Sequence, residues 1–143
     1  MSFDLATARQ IFIKGQLPES FGIDITAVEQ NSVTGSLTVD ERHLRPGNIM
    51  NGGVSLVLLE TMGSISTCLY IDPAKFNAFG IQVNANHISV ARPGDILSAS
   101  SALSDSNHAR NFNRGRFFTH TSERLLARKK VSWNDRELFR HSR

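Results

Sequence analysis

A single carboxylate stands inside the longest apolar stretch of the chain. Between Val54 and Ile71, Glu60 is the only acid, and there is no Lys or Arg. A helix built from these residues has no polar face to offer water and is expected to be buried nearly all round. A carboxylate in that setting is costly unless hydrogen-bonded, and burial raises its pKa. Acids perturbed in this way gather at working sites, which makes Glu60 the first catalytic candidate. The other reading is a buried acid satisfied by its neighbours. The chain has no HExxH, no CxxC and no phosphate-cradling Gly-Lys-Ser loop, so no metal site and no organic cofactor are expected. The single cysteine, Cys68, has no His near it in sequence and is expected to pack in the helix; without a disulfide partner it suits a reducing cytosol.

The elements that must hold Glu60 follow from pattern. With 143 residues and 40% hydrophobic content, the chain fits one globular domain, residues 1–143, with a real core. Asp4 to Gln16 has helical spacing at Leu5, Ile11 and Phe12, with Asp4 as N-cap and Gly15 near the end, giving an N-terminal helix within residues 1–18. Phe21, Ile23, Ile25 and Ala27 alternate with polar residues, and so do Val33, Leu37 and Val39, which reads as a hairpin. A loop marked by Pro46, Gly47, Gly52 and Gly53 follows, then the long helix, until Asp72-Pro73 stops it. Phe79, Ile81, Val83 and Ala85 alternate again, with a phase change at His87-Ile88 that suggests a bulge. Arg92-Pro93-Gly94-Asp95 makes a turn, and strands are expected over Ile96–Leu103 and Leu125–Trp133. This order implies an α+β fold, an antiparallel sheet curled around one apolar helix. Such a helix needs cover beyond one sheet, and a second copy of the chain is the simplest provider.

The helical run lies at the lower edge of length for a membrane span, and the polar residues inside it argue for a core helix. The opening MSFDLATARQ shows no basic segment followed by an apolar one, so no signal peptide and a cytoplasmic location are expected. The net charge of +3 is uneven: residues 1–103 hold six Lys/Arg and nine Asp/Glu, whereas residues 104–143 hold ten and four. A basic end can meet phosphates, an acidic partner or nucleic acid, or simply be a solvated surface. Asp105 to Phe118 is dominated by Asn, Arg and Ser, with poor strand patterning before a turn at Thr121–Arg124. Residues 104–143 are thus either a divergent hairpin or an altered C-terminus, for example by a shifted reading frame.

Pro46-Gly47, then Asn51-Gly52-Gly53, then Glu60 resembles the hotdog-fold acyl-CoA thioesterases, most closely the phenylacetate-pathway, hydroxybenzoyl-CoA and dihydroxynaphthoyl-CoA types. The resemblance covers roughly residues 20 to 103 and includes Val83-Asn84-Ala85-Asn86-His87 and Ala91-Arg92-Pro93-Gly94. It implies a hotdog fold, a homodimer paired into a tetramer, and an acyl-CoA substrate whose coenzyme A is no cofactor. It also implies that the Gly52 N–H polarises the thioester carbonyl, that Glu60 is nucleophile or general base, and that Asn51 and Ser64 orient the reactants. Arg45, Gly53, His87, Ser89 and Arg92 fall where the family binds substrate. A helix N-terminus suits the first role, because its N–H groups are unpaired and its dipole end is positive where negative charge develops. Gly52 and Glu60 are separated by eight residues, about 12 Å of helix, so one thioester cannot touch both on the same helix. A neighbouring subunit must then supply Gly52.

The chain departs from the family at two site positions. Asn51 stands where His is usual before the glycine pair; an amide can orient a carbonyl or a water but carries no charge. Arg45 replaces the Gln found before the proline in the dihydroxynaphthoyl-CoA type, and a cation beside a partner's Glu60 would lower that acid's pKa. Ser64 alternatively bonds back to its own helix, and Arg92 is alternatively a surface turn residue. Three functions follow: hydrolysis of an acyl-CoA thioester, first of all an aryl one; acyl-CoA binding without turnover; or binding of nucleic acid or an acidic protein. The last would use Arg110, Arg114, Arg116, Arg128, Lys129 and Lys130 with Phe112, Phe117 and Phe118 interleaved. The expected partner is the small-molecule thioester, with neither nucleic acid nor membrane.

Overall fold

A computed structural model of the chain describes residues 4–30, 32–69, 71, 74, 76–77, 80, 83, 85, 87, 89–103, 113–121, 124–132 and 139–140. Helix α1 (Leu5–Phe12) starts at Asp4, whose carboxylate accepts the Thr7 N–H at 2.7 Å. Its inner face is Leu5, Ala8 and Phe12; Ile11 lies off that face and is 47% exposed, contrary to the core position its spacing implied. Gly15, at φ +72°, turns the chain into α2 (Leu17–Ser20), a single turn with Pro18 at its start, where a missing N–H costs nothing.

Strands β1 (Asp24–Glu29) and β2 (Ser32–Thr38) form the expected antiparallel hairpin. Ile23 and Ile25 are buried, but the register shifts between Ile25 and Ala27, which leaves Ala27 only half-buried. The strand also starts later than the alternation suggested, because Phe21 closes α2. The Pro/Gly loop proves to have structure of its own. A one-turn 3-10 helix at Glu41–His43 leads into a small hairpin, β3 (Leu44–Arg45) and β4 (Ile49–Met50), whose turn holds Gly47 at φ +95° and Asn48 at φ +54°. Helix α3 (Gly52–Cys68) follows, beginning two residues before the apolar run and ending short of Ile71. The Asp72-Pro73 stop lies outside the described residues.

Beyond the helix, β5 (Phe76–Asn77), β6 (Ile96–Leu103), β7 (Asn113–Thr121), β8 (Arg124–Ser132) and β9 (Phe139–Arg140) complete the chain. The main sheet is antiparallel, in the order β1-β2-β6-β7-β8; β5 pairs with β9. Strand β6 has the bounds its pattern implied, and β7 and β8 form a hairpin in which Arg116 is opposite Lys130. The expected strand over Phe79–Asn86 falls mostly outside the described residues, as do Ile88, Arg110, Phe112, Ser122, Glu123 and Trp133. The turn at Arg92–Asp95 docks on β2's end: Val39 N–H donates to the Asp95 carbonyl at 2.8 Å, and Gly94 N–H to the Val39 carbonyl at 2.9 Å.

The core is α3 pressed on the sheet. Leu58, Leu59, Met62 and Ile65 of the helix join Ile25, Val33, Leu37, Leu97 and Ala99 of the strands. Contact is closest at Gly35, where a Cβ would collide with the Met62 side chain and come within 2.8 Å of the Asp24 carbonyl. No residue of α3 from 54 to 68 is fully exposed, yet coverage is uneven: Leu56, Val57, Glu60, Thr61, Ser64 and Cys68 are half-buried and share one side. Among the described residues no helix is long and apolar enough to cross a membrane.

Candidate active site

The start of α3 is built from Asn51. Its side-chain Oδ1 accepts the Gly53 N–H at 2.8 Å, its carbonyl accepts the Val54 N–H at 3.1 Å, and its own N–H donates to the His43 carbonyl at 2.8 Å. Gly52 is then the first helical residue, and its N–H is among those no carbonyl of the helix can reach. The His87 imidazole lies over it: a Cβ at Gly52 would be 2.9 Å from Cε1 and 3.0 Å from Nε2. Such spacing leaves room for glycine alone. Gly53 is exposed beside them. With Oδ1 committed to the cap, the amide NH2 is the part of Asn51 left to reach a ligand.

About two turns on, the half-buried side of α3 faces a groove of about 480 Å³. Its walls are Glu60, Thr61, Ser64 and Ile65 on α3, and Ile11, Phe12, Gln16, Leu17 and Pro18 on the N-terminal helices and their link. Glu60 is half-buried, and its Oε2 is shielded from solvent. Thr61 and Thr67 bond back to the Val57 and Gly63 carbonyls at 2.7 and 3.0 Å. Ser64, among the described residues, makes no such bond, so its hydroxyl is open to the groove beside Glu60.

The chain and its fold find counterparts among known proteins. No family model matches the chain. A Pseudomonas aeruginosa protein named as an esterase is 33% identical over 90 residues, and the match spans 63% of this chain and 62% of that one, less than two thirds of its length. The 1,4-dihydroxy-2-naphthoyl-CoA hydrolase of Listeria monocytogenes is 34% identical over 87 residues, 61% of this chain and 70% of the hydrolase. The crystal structure of a Haemophilus influenzae thioesterase superposes with a TM-score of 0.77 at 25% identity, covering 100% of this chain and 97% of that one. The chain belongs to the hotdog-fold thioesterases.

In this hotdog thioesterase the remaining anticipated residues stand outside both clusters. Arg45 is exposed on the β3–β4 hairpin and bonds locally, to the Pro46 carbonyl at 3.3 Å. Arg92 is exposed in the 92–95 turn, where its backbone N–H donates to Asp95 Oδ2 at 2.8 Å, and the exposed Ser89 hydroxyl reaches the Val90 carbonyl at 3.5 Å. Their segment is nonetheless tied to the helix start, because the Met50 N–H donates to the Ala91 carbonyl at 2.8 Å. Among the described residues no group of three His, Cys, Asp or Glu side chains could hold a metal ion.

One supporting residue was not singled out from the sequence. His43 is buried; its Nδ1 accepts the Asp40 N–H at 3.0 Å, so the ring proton sits on Nε2 and donates to the Phe21 carbonyl at 3.0 Å. Its own carbonyl holds the Asn51 N–H, so it links the end of α2 to the cap of α3. Asp40 three positions earlier was the available signal, since the pair forms a capping box. The side-chain hydrogen bond from Arg42 holds the Asp40 carboxyl down at about 2, opposed by partial desolvation. The Arg42 guanidinium also donates to the Ser20 carbonyl at 2.7 Å.

Proposed function

We propose that this protein hydrolyses an acyl-CoA thioester, an aryl-CoA first of all, to free acid and coenzyme A. The observation that carries this is Glu60 beside the Ser64 hydroxyl in an apolar groove, on the same unbroken helix that begins with the Gly52 N–H, which no carbonyl of the helix can reach. The two groups are about 12 Å apart along the axis, so each thioester lies between Glu60 of one copy and Gly52 of another. Glu60 as general base takes a proton from water held with Ser64, and the hydroxide adds to the carbonyl carbon. The oxyanion rests on the Gly52 N–H until the C–S bond breaks and the thiolate leaves, to be protonated. As nucleophile, Glu60 instead adds directly, expels the thiolate and forms an anhydride that water then opens.

Thiol release from aryl-CoA and medium-chain acyl-CoA esters, compared between wild type and a folded Glu60→Gln variant, tests this. Turnover that collapses in the variant supports it. A folded wild type that binds the esters and releases no thiol would sink it.

A further inference from the structure

The N-terminal helices have no assigned part in this site, yet they supply most of the apolar wall of the Glu60 groove. Five large hydrophobic side chains are exposed among the described residues, and two of them, Ile11 at 47% and Leu17 at 62%, line that groove. Phe12, Pro18 and Ile65 continue the apolar lining between them. Nor is the segment a loose tail. Arg9 bonds to the Asp24 carboxylate and, through Nε at 2.9 Å, to the Ile25 carbonyl. At its far end, Gly15 N–H is held by Glu19 Oε2 at 2.8 Å, and Ile23 N–H by the Pro18 carbonyl at 2.9 Å. The wall is fixed at both ends while Ile11 and Leu17 remain uncovered.

Charge decides what fits. Among the described residues that line the groove none is basic, and Glu60 is the only acid. A phosphate-bearing group gains nothing there, and a second carboxylate close to Glu60 would be repelled. The volume lies in the range of small-molecule pockets, far larger than a bare acetyl group requires. We infer that Ile11 and Leu17 line the acyl subsite and select an uncharged acyl group with an extended apolar body, aromatic or aliphatic. This rests on the reading of Glu60 as the reacting acid.

The test compares wild type with Leu17→Asp and Ile11→Ser, both at exposed positions and both checked by thermal melting. kcat/KM is measured for phenylacetyl-CoA, octanoyl-CoA, acetyl-CoA and succinyl-CoA, and affinity by calorimetry for the non-hydrolysable thioethers S-benzyl-CoA and S-methyl-CoA. Wild type should favour phenylacetyl or octanoyl over acetyl and succinyl, and each variant should lower the phenylacetyl-to-acetyl ratio on the order of tenfold. The S-benzyl preference should fall in step. An equal fall for every ester, or an unchanged ratio, overturns the assignment. So does a change in oligomer mass with the ratio intact, which would put a second copy of the chain in the groove. If wild type is silent on all esters but S-benzyl-CoA binding still depends on Leu17, the subsite stands and the hydrolytic reading falls. Absence of any S-benzyl preference removes the subsite.

Discussion

At Asn51–Gly53, helix α3 begins under close packing, with His87 pressed onto Gly52; at Glu60–Ser64 the same helix looks into a groove of about 480 Å³. The first region is backbone chemistry. Its useful group is an N–H, and the side chains around it serve to cap the helix or exclude a Cβ. The second is side-chain chemistry in an apolar setting, with one carboxylate and one open hydroxyl. The contrast teaches that one helix can present both an N–H its own carbonyls cannot reach and a carboxylate in an apolar groove, about 12 Å apart along its axis. On the proposed reading, a single protomer carries two unlike halves of a site.

The sharpest way to break this comparison is to mix two crippled proteins. Glu60→Gln alone should lower turnover on the order of 10²- to 10⁴-fold. Gly52→Val should lower it too, because the branched side chain strikes His87. If the halves meet across subunits, a hybrid dimer of the two variants holds one intact site. Unfolding and refolding an equal mixture should then restore about a quarter of wild-type activity. No recovery in a mixture shown to contain hybrids would place both halves in one subunit.

A milder change at the helix start is Gly52→Ala with and without His87→Ala. The single variant should lose activity by roughly tenfold and the pair should recover part of it, for a coupling near 1 kcal/mol in a double-mutant cycle. Gly35→Ala addresses what the halves share, the seating of α3 on the sheet through Met62. Denaturant melts should show a loss of about 1–3 kcal/mol, with both Glu60- and Gly52-dependent steps weakened together.

The helix start and the groove were not equally legible in the sequence. Gly52-Gly53 marked the end of a loop with a helix to follow, and Ile23, Ile25, Val33 and Leu37 announced the sheet, because each signal is local or periodic and burial enforces the period. The bounds of β6 followed for the same reason. Glu60 was legible as an oddity, one charge in an apolar run. What faces Glu60 was not. Ile11 has the spacing of a core residue and Leu17 follows the helix with no pattern of its own, and only the turn at Gly15 and the short α2 bring them over the groove. The β3–β4 hairpin was hidden because its strands are two residues long, too short for a period to register, although Pro46-Gly47-Asn48 carried the turn chemistry. His43 escaped because its partners include the Phe21 carbonyl, a group every residue possesses.

The smallest expected effect lies in the loop between these regions. The Asp40 carboxyl titrates at about 2 in the fold, below its ordinary 3.8, so its contribution is complete above about pH 4 and is lost as pH falls toward 2. Because the pair with Arg42 is exposed, the change should be slight. Acid titration of the melting temperature for wild type against Asp40→Asn, with the difference confined to that window, checks it.

The contact from Arg9 to the Ile25 carbonyl bears on how copies of this chain approach one another. Among the described residues β1 is an outer strand of the sheet, and an outer strand is a template on which any extended peptide can add itself. Here a guanidinium already occupies one carbonyl of that strand, and the register shift beside it breaks the even spacing that an incoming strand would need. The N-terminal helix thus acts as a guard rail as well as a wall. It discourages stray strand pairing along β1.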